Sequence, residues 1–175
     1  MTALSSLSGV RCFPPVVGHS PQVLILGSAP GRASLDATEY YAHPRNLFWR
    51  FLGDMLGFSP RLPYDERLVR LTDAGVALWD VIAACERTGS LDADIVPGSI
   101  EPNDFEAFFT VHRSIRHVFF NGTAAEKEFR RRVLPELSGN CPRLHRLPST
   151  SPAHAARSLA EKQHAWAAIV AALNM

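Results

Sequence analysis

The chain has 175 residues, with 18 Lys and Arg against 17 Asp and Glu, a formal charge of +1. That length suits a single domain over residues 1–175, one that buries roughly two-thirds of its extended-chain surface. A composition of 46% hydrophobic and 20% charged residues excludes long disorder and collagen-like or low-complexity structure, and the near-zero charge argues against holding nucleic acid by bulk electrostatics.

Residues 1–21 read as an irregular lead-in, because Pro14, Pro15 and Pro21 block regular structure. Val23 to Leu26 is a short apolar run that stops at Gly27, as expected of a strand buried on both faces of a parallel sheet. Leu47, Phe48, Phe51, Leu52, Met55 and Leu56 recur on one face of a helix that Gly57 would end. A second strand is expected at Val76–Trp79. Pro102 is placed to open a helix with Phe105, Phe108 and Phe109 facing inward. Val118–Phe120 is the third strand. Thr123-Ala124-Ala125-Glu126 fits a capping box for a helix running to about Leu134. Leu144–Leu147 is the fourth strand. The last helix is expected over Ala155–Leu173, burying Leu159, Trp166, Ile169, Val170 and Leu173. Strands alternating with helices predict a three-layer α/β/α sandwich around a central, mainly parallel four-stranded sheet.

Cys12, Cys85 and Cys141 are widely spaced, which suggests reduced thiols in a cytoplasmic protein and falls short of the four thiolates of an iron–sulfur cluster. The seven histidines form no H-x-x-x-H pattern, so neither a metal nor a cofactor is expected. Met1–Gly9 lacks the charged and apolar blocks of a signal peptide, and no apolar run approaches the ~20 residues that span a bilayer.

In an open parallel sheet, ligands bind beyond the carboxyl ends of the strands, and three of those ends carry unusual loops. Gly27-Ser28-Ala29-Pro30-Gly31-Arg32 allows close backbone approach and an anion-binding nest, or is a plain strand-to-loop turn. In Tyr40 to Trp49 two tyrosines, His43, Arg45 and Asn46 precede a helix. Their rings suit stacking on an extruded base, although Asn46 or His43 would equally serve as a helix cap, with Phe48 and Trp49 in the core. Leu147-Pro148-Ser149-Thr150-Ser151-Pro152-Ala153-His154 is a stiff loop of small hydroxyl residues. It suits pinching a nucleic-acid backbone, or it is an ordinary connection with Ser151 as N-cap.

Taken together, these segments resemble the uracil-DNA glycosylase superfamily, nearest its mismatch-specific and hypoxanthine (deoxyinosine) branch. Gly27-Ser28-Ala29-Pro30-Gly31 looks like the water-activating motif, and Tyr41-Ala42-His43-Pro44-Arg45-Asn46-Leu47-Phe48-Trp49 is similar to the aromatic–Ala-His-Pro-x-Asn stretch. Phe120-Asn121-Gly122 resembles the strand end that reads the base edge, and Pro148 to Pro152 the intercalation loop. Leu78 to Asp92 also looks like a stretch of the hypoxanthine branch. The resemblance implies hydrolysis of the N-glycosidic bond of uracil or hypoxanthine flipped out of DNA, initiating base excision repair.

Two positions depart from that pattern. Ala29 stands where the mismatch-specific enzymes carry a water-positioning Asn, and Leu147 replaces the His or Asn before Pro-Ser. The resemblance to the hypoxanthine branch moves the catalytic role to Asn46, with His154 as a substitute donor. Gly27, Ser28, Ala29, Tyr41, Phe48 and Asn121 are the expected base-binding residues. Arg32, Arg45, Arg87, Ser149, Thr150, Ser151 and Arg157 are the expected DNA contacts.

Of the 18 basic residues, 16 are Arg, with only Lys127 and Lys162 as lysines. Arg is the better bidentate phosphate ligand, although a GC-rich genome gives the same bias. A base-flipping enzyme needs a few placed phosphate contacts rather than a basic envelope, so a charge of +1 is compatible with DNA. Arg130, Arg131 and Arg132 read as a solvated helix face, and a monomer is expected. The competing readings are a non-catalytic nucleic-acid or nucleotide-binding module on the same scaffold, which Ala29 favours, and a flavodoxin-like mononucleotide domain.

Overall fold

The computed structural model describes residues 8–175, so the Ser-rich start of the lead-in lies outside the described residues. All four apolar runs are strands of one sheet. These are β2 (Val23–Gly27), β3 (Val76–Asp80), β6 (His117–Asn121) and β7 (Arg143–Leu147), in the order β3-β2-β6-β7 and parallel throughout. Alternation along these strands divides the core. Val23, Ile25, Val76, Leu78 and Phe119 face one layer, whereas Leu24, Leu26, Ala77, Trp79, Val118 and Phe120 face the other.

The first layer contains α2 (Phe48–Leu56), α3 (Tyr64–Asp73), α6 (Leu159–Trp166) and α7 (Ala168–Leu173), which contribute Phe48, Phe51, Leu52, Leu71, Trp166, Ile169 and Ala172. Gly57 ends α2 at φ +78°, a left-handed conformation that suits glycine. The opposite layer contains α4 (Phe105–Val111) and α5 (Thr123–Glu128). The latter widens into a π turn over Phe129–Val133. Phe129 is fully buried between Phe105 and Phe120, with ring centroids at 5.3 and 5.2 Å.

Several elements differ from the sequence expectation. The lead-in contains β1 (Ser8–Arg11). It pairs antiparallel with β4 (Ile82–Arg87), which also pairs with β5 (Glu101–Pro102) to make a second, small sheet. Pro102 therefore lies on an edge strand, where its missing N–H is tolerated, and Asp104 caps α4 by accepting from the Ala107 amide at 3.0 Å. Gly122 at φ +95° precedes α5, so Thr123 is its first helical residue rather than its cap. The last helical segment begins at Leu159 and breaks at Ala167. Ser158 and Glu161 form its capping box, and Leu159 is 40% exposed. The short helix α1 (Arg32–Ala37) and α3 were not anticipated. Arg130 and Arg132 do lie on an outer face, paired with Glu126 and Glu128 four residues earlier. Among the described residues, no helix is long and apolar enough to cross a membrane.

Phe129→Ala removes the ring that joins α4, α5 and β6, and should lower unfolding free energy by about 3–5 kcal/mol in a urea titration.

Candidate active site

The carboxyl ends of the parallel strands present Asp80, Gly27, Asn121 and Leu147 side by side. A broad open cleft of about 1090 Å³ lies at the other end of the sheet, bordered by Gln22, His117 and Arg143 at the strand starts. The rule for open parallel sheets places chemistry at the carboxyl end, and so do the loops.

Asn121 is tied to the loop that follows β7. Its Nδ2 donates to Thr150 Oγ1 at 2.9 Å and its Oδ1 accepts from the Thr150 amide at 3.0 Å. The loop is braced further: the Leu47 amide donates to the Thr150 carbonyl at 3.0 Å, Trp166 Nε1 to the Pro148 carbonyl at 2.9 Å, and the Gly122 amide to the Leu147 carbonyl at 3.0 Å. Gly122 is held close, since a Cβ there would lie 3.1 Å from Ser149 Cβ. Thr150 is thus fully buried. The phosphate contact expected of it is not where the structure puts it, because its polar atoms brace the loop. Ser149 and Ser151 remain half-buried and can face a ligand.

Asn46 is half-buried and sits immediately before α2, where its Oδ1 accepts from the Phe48 amide at 3.0 Å. It therefore caps the helix start and also brings an amide group beside the Thr150 loop. Tyr41 follows the well-anchored Tyr40, whose hydroxyl donates to the Pro14 carbonyl at 2.8 Å and whose carbonyl accepts from Trp49 Nε1 at 2.9 Å. Tyr41 itself is left-handed at φ +54°, and its ring stacks on Phe48 with centroids 4.0 Å apart. Phe48 is fully buried, so it supports Tyr41 from the core and does not itself offer a face for a base.

Within the first loop, Ser28 Oγ donates to Asp92 Oδ1 at 2.5 Å. The Ala29 side chain packs on the small cluster of Val10, Ile82 and Cys85 under the second sheet. An apolar residue fits that surface, which explains why no polar side chain projects from this position. The Arg32 amide donates to Ser90 Oγ at 2.8 Å, and the Arg32 side chain is exposed. Arg45, His154 and Arg157 are exposed as well, and Lys162 Nζ holds the His154 carbonyl.

Arg87 is a correction to the sequence reading. It is only 3% exposed and faces the interior, where its charge acts on Asp80, Cys12 and Cys85 rather than on a phosphate. Asp80, which is not among the expected site residues, lies at this end of the sheet. It ends β3 directly opposite Gly27 and is 3% exposed. Burial pushes its carboxyl from the ordinary 3.8 up to about 7; Asp92 adds to this and Arg87 opposes it. Burial likewise raises the Tyr41 phenol, with Asp80 contributing and the Asn121 side chain pulling the other way. A lone acidic residue closing the apolar run Val76–Trp79 was the available signal for Asp80. Its partners Gly27 and Tyr41 are distant in sequence and visible only in the fold. Cys12, Cys85 and Cys141 are free thiols, and among the described residues no group of His, Cys, Asp or Glu is arranged to hold a metal ion.

The fold defines a three-layer α/β/α protein whose candidate site lies at the carboxyl ends of a parallel sheet. The profile of the Uracil DNA glycosylase superfamily matches residues 14–173, and the chain belongs to that superfamily. It is 39% identical over 111 residues to a hypoxanthine DNA glycosylase of Methanosarcina barkeri, covering 63% of this chain and 69% of that protein. A hypoxanthine DNA glycosylase of Methanosarcina acetivorans is 36% identical over 138 residues, covering 74% of this chain and 86% of that protein. The solution NMR structure of a candidate uracil DNA glycosylase from Methanosarcina acetivorans superposes with a TM-score of 0.80 at 32% identity, covering 96% of this chain and 100% of that one. The protein is accordingly a DNA glycosylase, a monofunctional enzyme of base excision repair whose substrate is DNA. The binding-module alternative is not favoured.

Thr150→Val removes the Oγ1 acceptor of Asn121 Nδ2 while the backbone bond to Oδ1 stays, and should lower stability by about 1–3 kcal/mol, with faster proteolysis within residues 147–154. For Asp80 the sign follows from its raised folded-state value. The stability of the neutral acid is fully present below about pH 4 and is lost as pH rises to about 7. Urea titrations across that range should therefore show Asp80→Asn gaining on the unmodified protein up to about pH 7 and holding a constant margin above it.

Proposed function

We propose that the enzyme excises a deaminated base, hypoxanthine foremost and uracil second, from DNA. The carrying observation is Asn46, an amide fixed at the start of α2 and adjoining the Thr150 loop at the end of the sheet where ligands bind. Two relatives that carry the name hypoxanthine DNA glycosylase support the choice of base.

The target nucleotide leaves the stack at a cost of a few kcal/mol, least for a mispaired base. Tyr41, backed by Phe48 on one face of its ring, lines the pocket. Asn121 uses one hydrogen and one lone pair on Thr150, and its remaining hydrogen and lone pair can meet the base edge. As the C–N bond lengthens, negative charge gathers on the base and positive charge on the sugar. Fixed amide and hydroxyl donors stabilise the base, while Asn46 orients the attacking water. An amide has no useful basicity, so this contribution is positional. His154 and the exposed Arg32, Arg45 and Arg157 supply contacts to the flanking backbone, together with Ser149 and Ser151. The enzyme acts as a monomer in the cytoplasm, a reading supported by its size and its three free thiols.

The test is single-turnover base release from duplexes carrying hypoxanthine, uracil, xanthine or thymine opposite each normal base. Asn46→Ala should slow hypoxanthine release by about 100-fold while duplex affinity changes by no more than about twofold. Equal loss of both would remove the water-orienting role.

A further inference from the structure

Among the described residues, the exposed large apolar side chains are Val69, Leu91, Val111, Leu159 and Met175. Met175 borders the cleft at the far end of the sheet, Val111 ends α4 between two residues that border it, and Val69 is on α3. Leu91, 54% exposed, belongs instead to the turn after β4. Both of its neighbours are bound to the loop that follows β2. Asp92 Oδ1 accepts from Ser28 Oγ at 2.5 Å, and Ser90 Oγ accepts from the Arg32 amide at 2.8 Å.

The turn that carries Leu91 is tightly closed. The Leu91 amide donates to Asp94 Oδ2 at 3.0 Å, and the Asp94 amide returns a bond to the Leu91 carbonyl at 3.0 Å. The Thr88 amide donates to the Asp94 carbonyl at 3.3 Å, and Asp94 fills the space that a side chain at Gly89 would need. A single exposed leucine is ordinary on a protein surface. What gives this one a use is its rigid attachment to the loop expected to touch the base.

Extrusion of a nucleotide leaves a gap where its base was stacked, and the base returns unless something takes its place. Leucine is among the apolar side chains that enter base steps as wedges. The loop after β7 resembles an intercalation loop in sequence, yet it has little to insert. Its Leu147 and Thr150 are buried, Ser149 and Ser151 are small and polar, and its exposed apolar groups, Pro152 and Ala153, are short.

We propose that Leu91 enters the gap left by the flipped nucleotide, so that the turn after β4, rather than the loop after β7, penetrates the duplex. The bond between Asp92 and Ser28 sets its reach: the leucine fills the stack while the loop beside it meets the extruded base. Asp92 and Asp94 are engaged by Ser28 and by the Leu91 amide, and the exposed Arg32 next to the turn is placed for a flanking phosphate. Leu91 does not touch the reacting bond, so it acts on extrusion and not on cleavage. This rests on the reading of the site as one that excises a flipped base.

The test compares single-turnover release of hypoxanthine from two duplexes. One has thymine opposite the lesion, and the other has a pyrene nucleotide there, whose bulk occupies the gap and holds the lesion out of the stack. Leu91→Ala should slow release from the first about 30-fold, and from the second by no more than about twofold. Leu91→Met should restore the first to within about threefold. A merely structural role would slow both duplexes alike. A second arm places 2-aminopurine beside 2′-fluoro-2′-deoxyinosine, which resists hydrolysis. Its fluorescence rises as the neighbouring base unstacks, and Leu91→Ala should remove most of that rise. The proposal is overturned if Leu91→Ala leaves release from both duplexes unchanged, slows both alike, or keeps the full fluorescence rise. It is also overturned if Leu159→Ala, at the start of α6, shows the split between duplexes instead. If the unmodified protein releases no base from either duplex, the excision reading fails, while the fluorescence change still decides the role of Leu91.

Discussion

The paired hydrogen bonds between the Asn121 side chain and Thr150 connect the sheet to the loop after β7, the loop proposed to meet DNA. An amide satisfied at both ends by one residue has little freedom to rotate, and Thr150 is fully buried, so water does not compete for either bond. The same residue accepts from the Leu47 amide, which sets the first turn of α2 against the loop. Asn46, one residue earlier, inherits its position from that contact. The route from the sheet to the proposed water-orienting group therefore runs Asn121, Thr150, Leu47, Asn46, and every link is a hydrogen bond or a peptide bond. A catalytic contribution that depends on orientation alone needs such a chain, since errors of about an ångström cost about two orders of magnitude in rate.

A second constraint operates at the neighbouring strand end. Gly27 leaves room for Asp80 and Tyr41, whereas Gly122 at φ +95° leaves room for Ser149. The two glycines end adjacent strands and do the same thing, which is to let a side chain from a distant segment reach the sheet edge. Tyr41 is held by both sides of this arrangement, with its ring on Phe48 of α2 and its hydroxyl over Gly27 of β2. Its left-handed backbone is the strain that permits both contacts at once.

The parallel sheet was legible in the sequence because its four strands are buried on both faces and carry unbroken apolar runs, as in Val23–Leu26. The helix α2 was legible for a similar reason: its six apolar residues follow one helical face. The second sheet was not. In β4 the residues Ile82 to Arg87 mix buried and exposed positions without clean alternation, and β1 lies in a proline-rich lead-in. Pro102 misled because a proline that suits the start of a helix also suits an edge strand, and local sequence does not separate the two. At the site, Tyr41, Asn46, Asn121 and the Ser-Thr-Ser loop could be named from their clustering. What each one touches depends on strand order, and strand order pairs Gly27 with Asp80 across 53 positions of sequence.

Charge shows the same division between inventory and placement. A total of +1 leaves no general attraction to a polyanion, so the basic groups that matter are those at the carboxyl ends of the strands. Arg32, Arg45 and Arg157 are exposed there, while Arg130 and Arg132 are paired with glutamates on an outer face. Arg87 lies in a region that the sequence pattern assigns to the phosphates, yet it points inward. Without that buried cation, the like charges of Asp80 and Asp92 would push the Asp80 carboxyl higher still. A guanidinium that does not titrate, set against burial and a second carboxylate, brings Asp80 to about 7. An arginine that the sequence pattern assigns to the surface thus lies in the interior, where it opposes the rise that burial and Asp92 impose on the carboxyl at the end of β3.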